Sequence, residues 1–229
     1  MVEELARRKA GSILAIDADP NSCLADTLGV KSVQTIVGIC DEISKNMDKI
    51  PSGMTKDRYI EMRVQDAVIE GKDIDLLVMG RPEGPGCYCY VNSLLRSIVD
   101  RITGNYDFVV IDNAAGMEHI SRRTSGSIDR LVLVGDYSIQ GLRAAKKIYD
   151  LAKSLKIKIG SAWLIINKTS GSLAAINKEV DDMGLVVAGV VGYEEAVVEW
   201  SLSGKSVFGL VSKTMKGSIA KIVDKLIER

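Results

Sequence analysis

Ile13-Leu14-Ala15-Ile16-Asp17-Ala18-Asp19-Pro20-Asn21 decides the fold. Four apolar residues without polar alternation read as a strand buried on both faces, and an acid follows at once. Five more runs of this kind occur: Leu76–Met79, Phe108–Ile111, Leu131–Val134, Trp163–Ile166 and Val187–Val191. The segments between them are long enough for helices, and Ser138–Ser154 and Leu173–Met183 are amphipathic. Alternation of strand and helix implies right-handed crossovers and an α/β, three-layer, mostly parallel sheet with helices on both faces. Residues 1–229 read as one domain, without an internal repeat, low-complexity tract or dividing linker. Ligands of such a sheet bind at the carboxyl ends of its strands. Asp17, Asp112 and Asn167 each follow a strand directly.

Composition narrows the classes. Hydrophobic residues are 46% and charged residues 26%, as in ordinary globular proteins. Thirty basic and thirty acidic side chains cancel, so no net field attracts nucleic acid or an anionic membrane. No apolar run reaches the roughly 18 residues of a membrane span. The charged start, Val2 to Lys9, is unlike a signal peptide, so a cytoplasmic location is expected. Met215, Ile219, Ile222, Val223 and Leu226 form one helical stripe. That stripe has no aromatic residue or concentrated basic face, which favours a helix packed on the sheet over a membrane-targeting tail.

Two carboxylates at i and i+2 after a strand, Asp17 and Asp19, suit a Mg²⁺ ion and the water that attacks a phosphoryl group; the plainer alternative is a turn. Phe108-Val-Val-Ile-Asp112, with Asn113-Ala-Ala-Gly116 behind it, has the Walker-B pattern of an acid at a strand tip and a small-residue loop able to move. Asn167 with Lys168 ends another strand, and an amide can donate to and accept from an adenine edge at once. Gly84-Pro-Gly-Cys87-Tyr-Cys89 places two thiols on one side of an extended turn. Two thiolates leave a tetrahedral soft-metal site half built, and a second copy across a two-fold axis would complete it. Cys23 and Cys40 lack ligand spacing and read as core residues. His119 has no sequence partner as a metal ligand.

Together these residues resemble the CooC family, the maturation ATPases of nickel carbon monoxide dehydrogenase, within the MinD/ParA class of deviant P-loop ATPases. The resemblance runs from Asp17-Ala-Asp-Pro-Asn-Ser-Cys-Leu through Cys87-Tyr-Cys89 and Asn92-Ser-Leu94. It continues in Ala115-Gly-Met-Glu-His-Ile-Ser-Arg122, Ile166-Asn-Lys168 and Tyr193-Glu-Glu195 to Ser201-Leu-Ser-Gly204. It implies a homodimeric ATPase using ATP/ADP with Mg²⁺, and a nickel carbon monoxide dehydrogenase or related client. On this resemblance Asp19 orients the hydrolytic water, and Asp17 and Asp112 serve the Mg²⁺ shell. Gly116, Asn167, Lys168 and Tyr193 lie along the nucleotide, and Cys87 and Cys89 hold Ni²⁺ or Zn²⁺. A positioning protein of the MinD/ParA kind would leave the cysteine pair without a task. An iron–sulfur reductase would need a cysteine within Asn113–Arg123, and there is none.

There are two departures. Gly192 stands where the family has proline before Tyr193. The family's opening Gly-Lys-Gly-Gly-x-Gly-Lys-Thr is absent from these 229 residues, and with it the N–H groups and lysines that cradle phosphates. Gly80-Arg-Pro-Glu-Gly-Pro-Gly86 carries no lysine to replace it. Val2–Lys9 reads as the tail of a helix C-capped by Gly11. The expectation is therefore a first strand and loop of roughly 20–30 residues lying upstream, and a chain inactive without them. A nucleotide-free metal-binding scaffold is the remaining alternative.

Overall fold

Ile13–Asp17 forms strand β1, and all five of its residues are buried. In the computed structural model, which describes residues 1–31, 34–81, 101–114 and 127–228, β1 is the middle of a three-stranded sheet. Its parallel neighbours are β2 (Asp75–Val78) and β3 (Phe108–Asp112). Around this sheet lie α1 (Val2–Arg7), α2 (Cys23–Leu28), α3 (Ile36–Lys45) and α4 (Lys56–Asp66). In α3 the apolar side chains recur at helical spacing, Ile36, Ile39, Cys40 and Ile43, and Thr35 caps the start by accepting from the Gly38 N–H at 3.1 Å.

The period of two along β1 sends alternate residues to opposite faces. Leu14 and Ile16 pack with Ile36, Ile39 and Ile43 of α3 and with Ile60 and Val64 of α4. Ala15, with Leu76 and Val78 of β2, packs against Leu24, Ala25 and Leu28 of α2. Complete burial of a side chain such as Leu14 or Ile16 contributes about 1.5–3 kcal/mol.

The remaining strands form a second parallel sheet in the order β4 (Ser127–Asp136), β5 (Lys158–Thr169), β6 (Val186–Gly192). Its helices are α5 (Ile139–Ser154), α6 (Asn177–Met183), α7 (Glu195–Leu202) and α8 (Lys213–Ile227). Leu133, Leu164 and Ile166 bury one face under Leu142 and Ala145 of α5 and Met183 of α6. Ile165, Ala188 and Val191 bury the other under Ile222 and Leu226 of α8. The C-terminal stripe is thus core. Gly189 permits this approach: a Cβ there would lie 2.4 Å from Ile222 Cγ1.

The six apolar runs match the six strands among the described residues, but these divide between two compact units. Residues 2–114 with 206–208 form one, and residues 1, 127–205 and 209–228 the other. Among the described residues β3 and β4 each pair along one edge only. Apolar Phe108–Ile111 are all partly exposed, and Val134 of β4 is 60% exposed.

Two local expectations are corrected. Lys9, not Gly11, takes the left-handed conformation after α1 (φ 52°), and the Ala10 N–H closes the turn onto the Leu5 carbonyl. Gly11 serves a close approach instead, since a Cβ would meet the Asp107 carboxylate at 2.6 Å. Cys40 is buried as expected, whereas Cys23 is exposed because it opens α2 on its outward side.

Candidate functional site

Asp17 is the last residue of β1 and the register partner of both Val78 and Asp112. The ladders run one residue further: the Met79 N–H donates to the Asp17 carbonyl at 2.9 Å, and the Ala18 N–H to the Asp112 carbonyl at 2.8 Å. Two acids are thereby fixed on neighbouring parallel strands at their carboxyl ends.

Their surroundings differ. Asp17 is 0% exposed. Its Oδ1 accepts from the Asp19 N–H at 3.1 Å and its Oδ2 from the Leu24 N–H at 2.9 Å. Asp19 is half-buried in a tight turn, where its Oδ1 accepts from the Asn21 N–H at 2.7 Å and its carbonyl from the Ser22 N–H at 3.0 Å. Asp112 is exposed. Burial pushes the Asp17 carboxyl above the usual carboxylate range, outweighing the Leu24 and Asp19 amides. Asp112 is raised too, by desolvation first and then by the negative charges of Asp17 and Asp19. Beside it, Asn113 Oδ1 is buried without a hydrogen-bond partner among the described residues.

Asn167, Lys168 and Tyr193 belong to the other unit. Asn167 lies near the end of β5 with Asp136 of β4 as its register partner. Its Oδ1 accepts from the Lys168 N–H at 2.9 Å, which fixes the acceptor side of the amide and leaves Nδ2 to donate. Lys168 itself is exposed and left-handed, φ 56°. The Tyr193 N–H donates to the Thr169 carbonyl at 2.9 Å, and the ring is 55% exposed. An amide donor and an open aromatic ring at adjacent strand exits suit a flat heteroaromatic ligand.

Two acids at this rim were given no role from sequence. Asp136 Oδ1 accepts from Ser138 Oγ at 2.6 Å, while Ser138 caps α5 through the Gly141 N–H. An acid two residues before a capping serine was the available signal. Glu194 Oε2 accepts from Ser212 Oγ at 2.5 Å, and Ser212 in turn caps α8.

Cys87, Cys89 and Gly116 lie outside the described residues. Among the described residues no three His, Cys, Asp or Glu side chains are grouped to hold a metal ion. Nor is any described helix long and apolar enough to cross a membrane.

Parallel strands layered by helices on both faces, with acids and an amide at the strand exits, define a nucleotide-type α/β protein. The fold is that of MinD and ParA: MinD with Mg-ADP from Pyrococcus horikoshii superposes with TM-score 0.66 at 17% identity, over 99% of this chain and 88% of that one. No protein-family model matches. An uncharacterized ATP-binding protein of Methanocaldococcus jannaschii is 39% identical over 226 residues, 97% of this chain and 89% of the relative. The carbon monoxide dehydrogenase accessory protein CooC of Rhodospirillum rubrum is 26% identical, over 95% and 86% of the two chains. The chain belongs to this family of ATP-binding proteins with the MinD/ParA-like fold.

Proposed function

We propose that the chain is an ATP-driven, metal-handling switch protein that works as a homodimer and serves a nickel carbon monoxide dehydrogenase or a related metalloenzyme. The observation carrying this reading is the registered pair Asp17 and Asp112 at adjacent strand tips, with Asp19 on the loop between β1 and α2. Similarity to CooC and the Cys87-Tyr-Cys89 pair supply the metal side.

Each unit carries residues suited to part of a nucleotide. In the unit of β5 and β6, Asn167 Nδ2, Lys168 and the Tyr193 ring suit a base. In the unit of β1 and β3, exposed Asp112 suits a Mg²⁺ ion through water. Mg–ATP, when bound, supplies a transferable phosphoryl group. Asp19 would orient the attacking water, and Gly116 is proposed to respond to the terminal phosphate. Three acids repel phosphate unless donors and lysines offset them, and no glycine–lysine cradle occurs in the 229 residues. Among the described residues β3 pairs along one edge only, and Phe108–Ile111 are partly exposed there.

At the other site, Cys87 and Cys89 from each of two copies give one soft divalent ion, Ni²⁺ or Zn²⁺, four thiolates. Titration with Ni²⁺ and with Zn²⁺ is expected to reach half an equivalent per chain, weakening as pH falls because thiolates must be deprotonated. The variant carrying Cys87→Ser and Cys89→Ser is expected to take up none. Uptake of half an equivalent by that variant overturns the metal assignment.

A further inference from the structure

We infer that Asp17 is a positioning residue and not a metal ligand: its carboxylate ties residues 18–24 into the shape that presents Asp19. The inference rests on the reading of Asp19 as the water-orienting acid.

The turn between β1 and α2 has only five residues, 18–22, to reverse the chain. Its backbone N–H groups, and those of the first turn of α2, have no partner within the helix and must find one elsewhere. Ser22, at the capping position, is left-handed (φ 52°) and makes no side-chain cap. Asp17 does this work from further back. One oxygen takes the Asp19 N–H and the other takes the Leu24 N–H, seven residues on. Bonds from N–H groups to an ionised carboxylate are roughly twice as strong as neutral ones. Each oxygen therefore accepts a backbone N–H, and with 0% exposure the side chain offers no surface to an ion that keeps its water shell. Asp19 and Asp112, half-buried and exposed, retain such surface.

Amide hydrogen exchange on the 229-residue chain tests this without any nucleotide. The Asp19 and Leu24 amides of the wild type are expected to exchange at least about a hundredfold slower than in an unstructured peptide. Asp17→Asn is expected to lose at least about tenfold of that protection at both, while the Met79 amide, bonded to the Asp17 carbonyl, keeps its own. Asp19→Asn should leave Leu24 protected. Unprotected Leu24 in the wild type overturns the inference even if Asp17→Asn fails to fold, and so does unchanged protection in a folded Asp17→Asn. In a version carrying the phosphate cradle, Asp17→Asn is expected to lower kcat by about tenfold or more and to move the Mg²⁺ concentration for half-maximal rate by less than about twofold. A Mg²⁺ requirement raised in step with the lost rate makes Asp17 a ligand and overturns the inference. If the wild type of that version turns over no ATP, the functional reading fails, and hydrogen exchange still decides the role of Asp17.

Discussion

Asp17 and Asp112 are register partners on adjacent parallel strands, and the Ala18 N–H, one residue past Asp17, is bonded to the Asp112 carbonyl at 2.8 Å. The backbone holds two like charges together and provides no cation between them among the described residues. Such an arrangement is destabilising while both are ionised, which is a common feature of sites built for a ligand.

The consequence for Asp112 is a pH-dependent gain on neutralisation. Its folded carboxyl titrates above the ordinary 3.8, so its support for folding is complete below that value and is lost as pH rises through the raised one. At pH 7, Asp112→Asn is expected to raise Tm by about 1–2 °C, a modest figure because the side chain is exposed. The gain should vanish near pH 3. A variant less stable than wild type at pH 7 would show that the carboxylate is compensated.

Glu4 has the opposite sign. It is buried, and it accepts from Arg7 Nε at 2.9 Å, Arg7 Nη2 at 2.6 Å and Arg8 Nε at 2.6 Å. The Arg7 hydrogen bonds, opposed by burial and reinforced by Arg8, pull its carboxyl from 4.5 to about 2. A depressed carboxyl stabilises above its unfolded value and loses that contribution as pH falls through the folded one. Glu4→Gln is expected to cost about 1–2 kcal/mol at pH 7, discounted because Arg7 is largely exposed. Urea midpoints should converge between pH 4.5 and 2. A constant difference across that range would assign the loss to packing.

Gly189 marks where α8 closes on β6. A Cβ placed 2.4 Å from Ile222 Cγ1 must push the helix outward, and over-packing of this kind costs about 1–3 kcal/mol. Gly189→Ala is expected to destabilise accordingly, and Ile222→Ala in the same chain to make room for the new methyl. The double variant should then be more stable than the sum of the single losses by about 1 kcal/mol. Additive losses in denaturant unfolding would mean that the helix shifts freely.

The sequence carried the strands because strands of a covered parallel sheet are unbroken apolar runs, and Ile13–Ile16 or Trp163–Ile166 permit little else. The stripe of α8 was legible for a similar reason, its period matching a helix that buries Ile222 and Leu226. What local pattern could not reveal was partnership. Nothing in Asp17-Ala-Asp-Pro-Asn tells that the Asp17 carboxylate will be taken by the Leu24 amide, because that requires the exact path of the turn. The left-handed residue after α1 was assigned to Gly11 on propensity, and Lys9 took it because the helix ends sooner. Asp136 was passed over because the apolar run stops at Val134, while pairing to β5 extends the strand to Asp136 itself. The division of six strands into two sheets is likewise a matter of edges, which apolar runs do not encode.

Asp17, Asp19 and Asp112 crowd the tips of β1 and β3, where burial first, and the charges of neighbouring acids after it, raise the carboxyls of Asp17 and Asp112. Mg²⁺ alone offsets part of that charge without positioning the terminal phosphate, and positioning sets the rate of phosphoryl transfer. The 229-residue chain by itself is therefore expected to show no ATP turnover. A strand and glycine–lysine loop fused to the chain should supply N–H donors and a lysine, and should cover Phe108–Ile111 on pairing along the β3 edge that has no partner among the described residues. Turnover and a higher Tm should then appear together, since each backbone group left unpaired in a buried setting costs about 1–3 kcal/mol. In that fused protein Asp19→Ala should lower kcat by about a hundredfold or more with ATP affinity within about threefold, because a water-orienting group acts mainly in the transition state. Parallel loss of affinity and rate would make Asp19 a structural residue of the turn. ATP turnover by the 229-residue chain alone would place a phosphate site elsewhere and remove the need for the cradle.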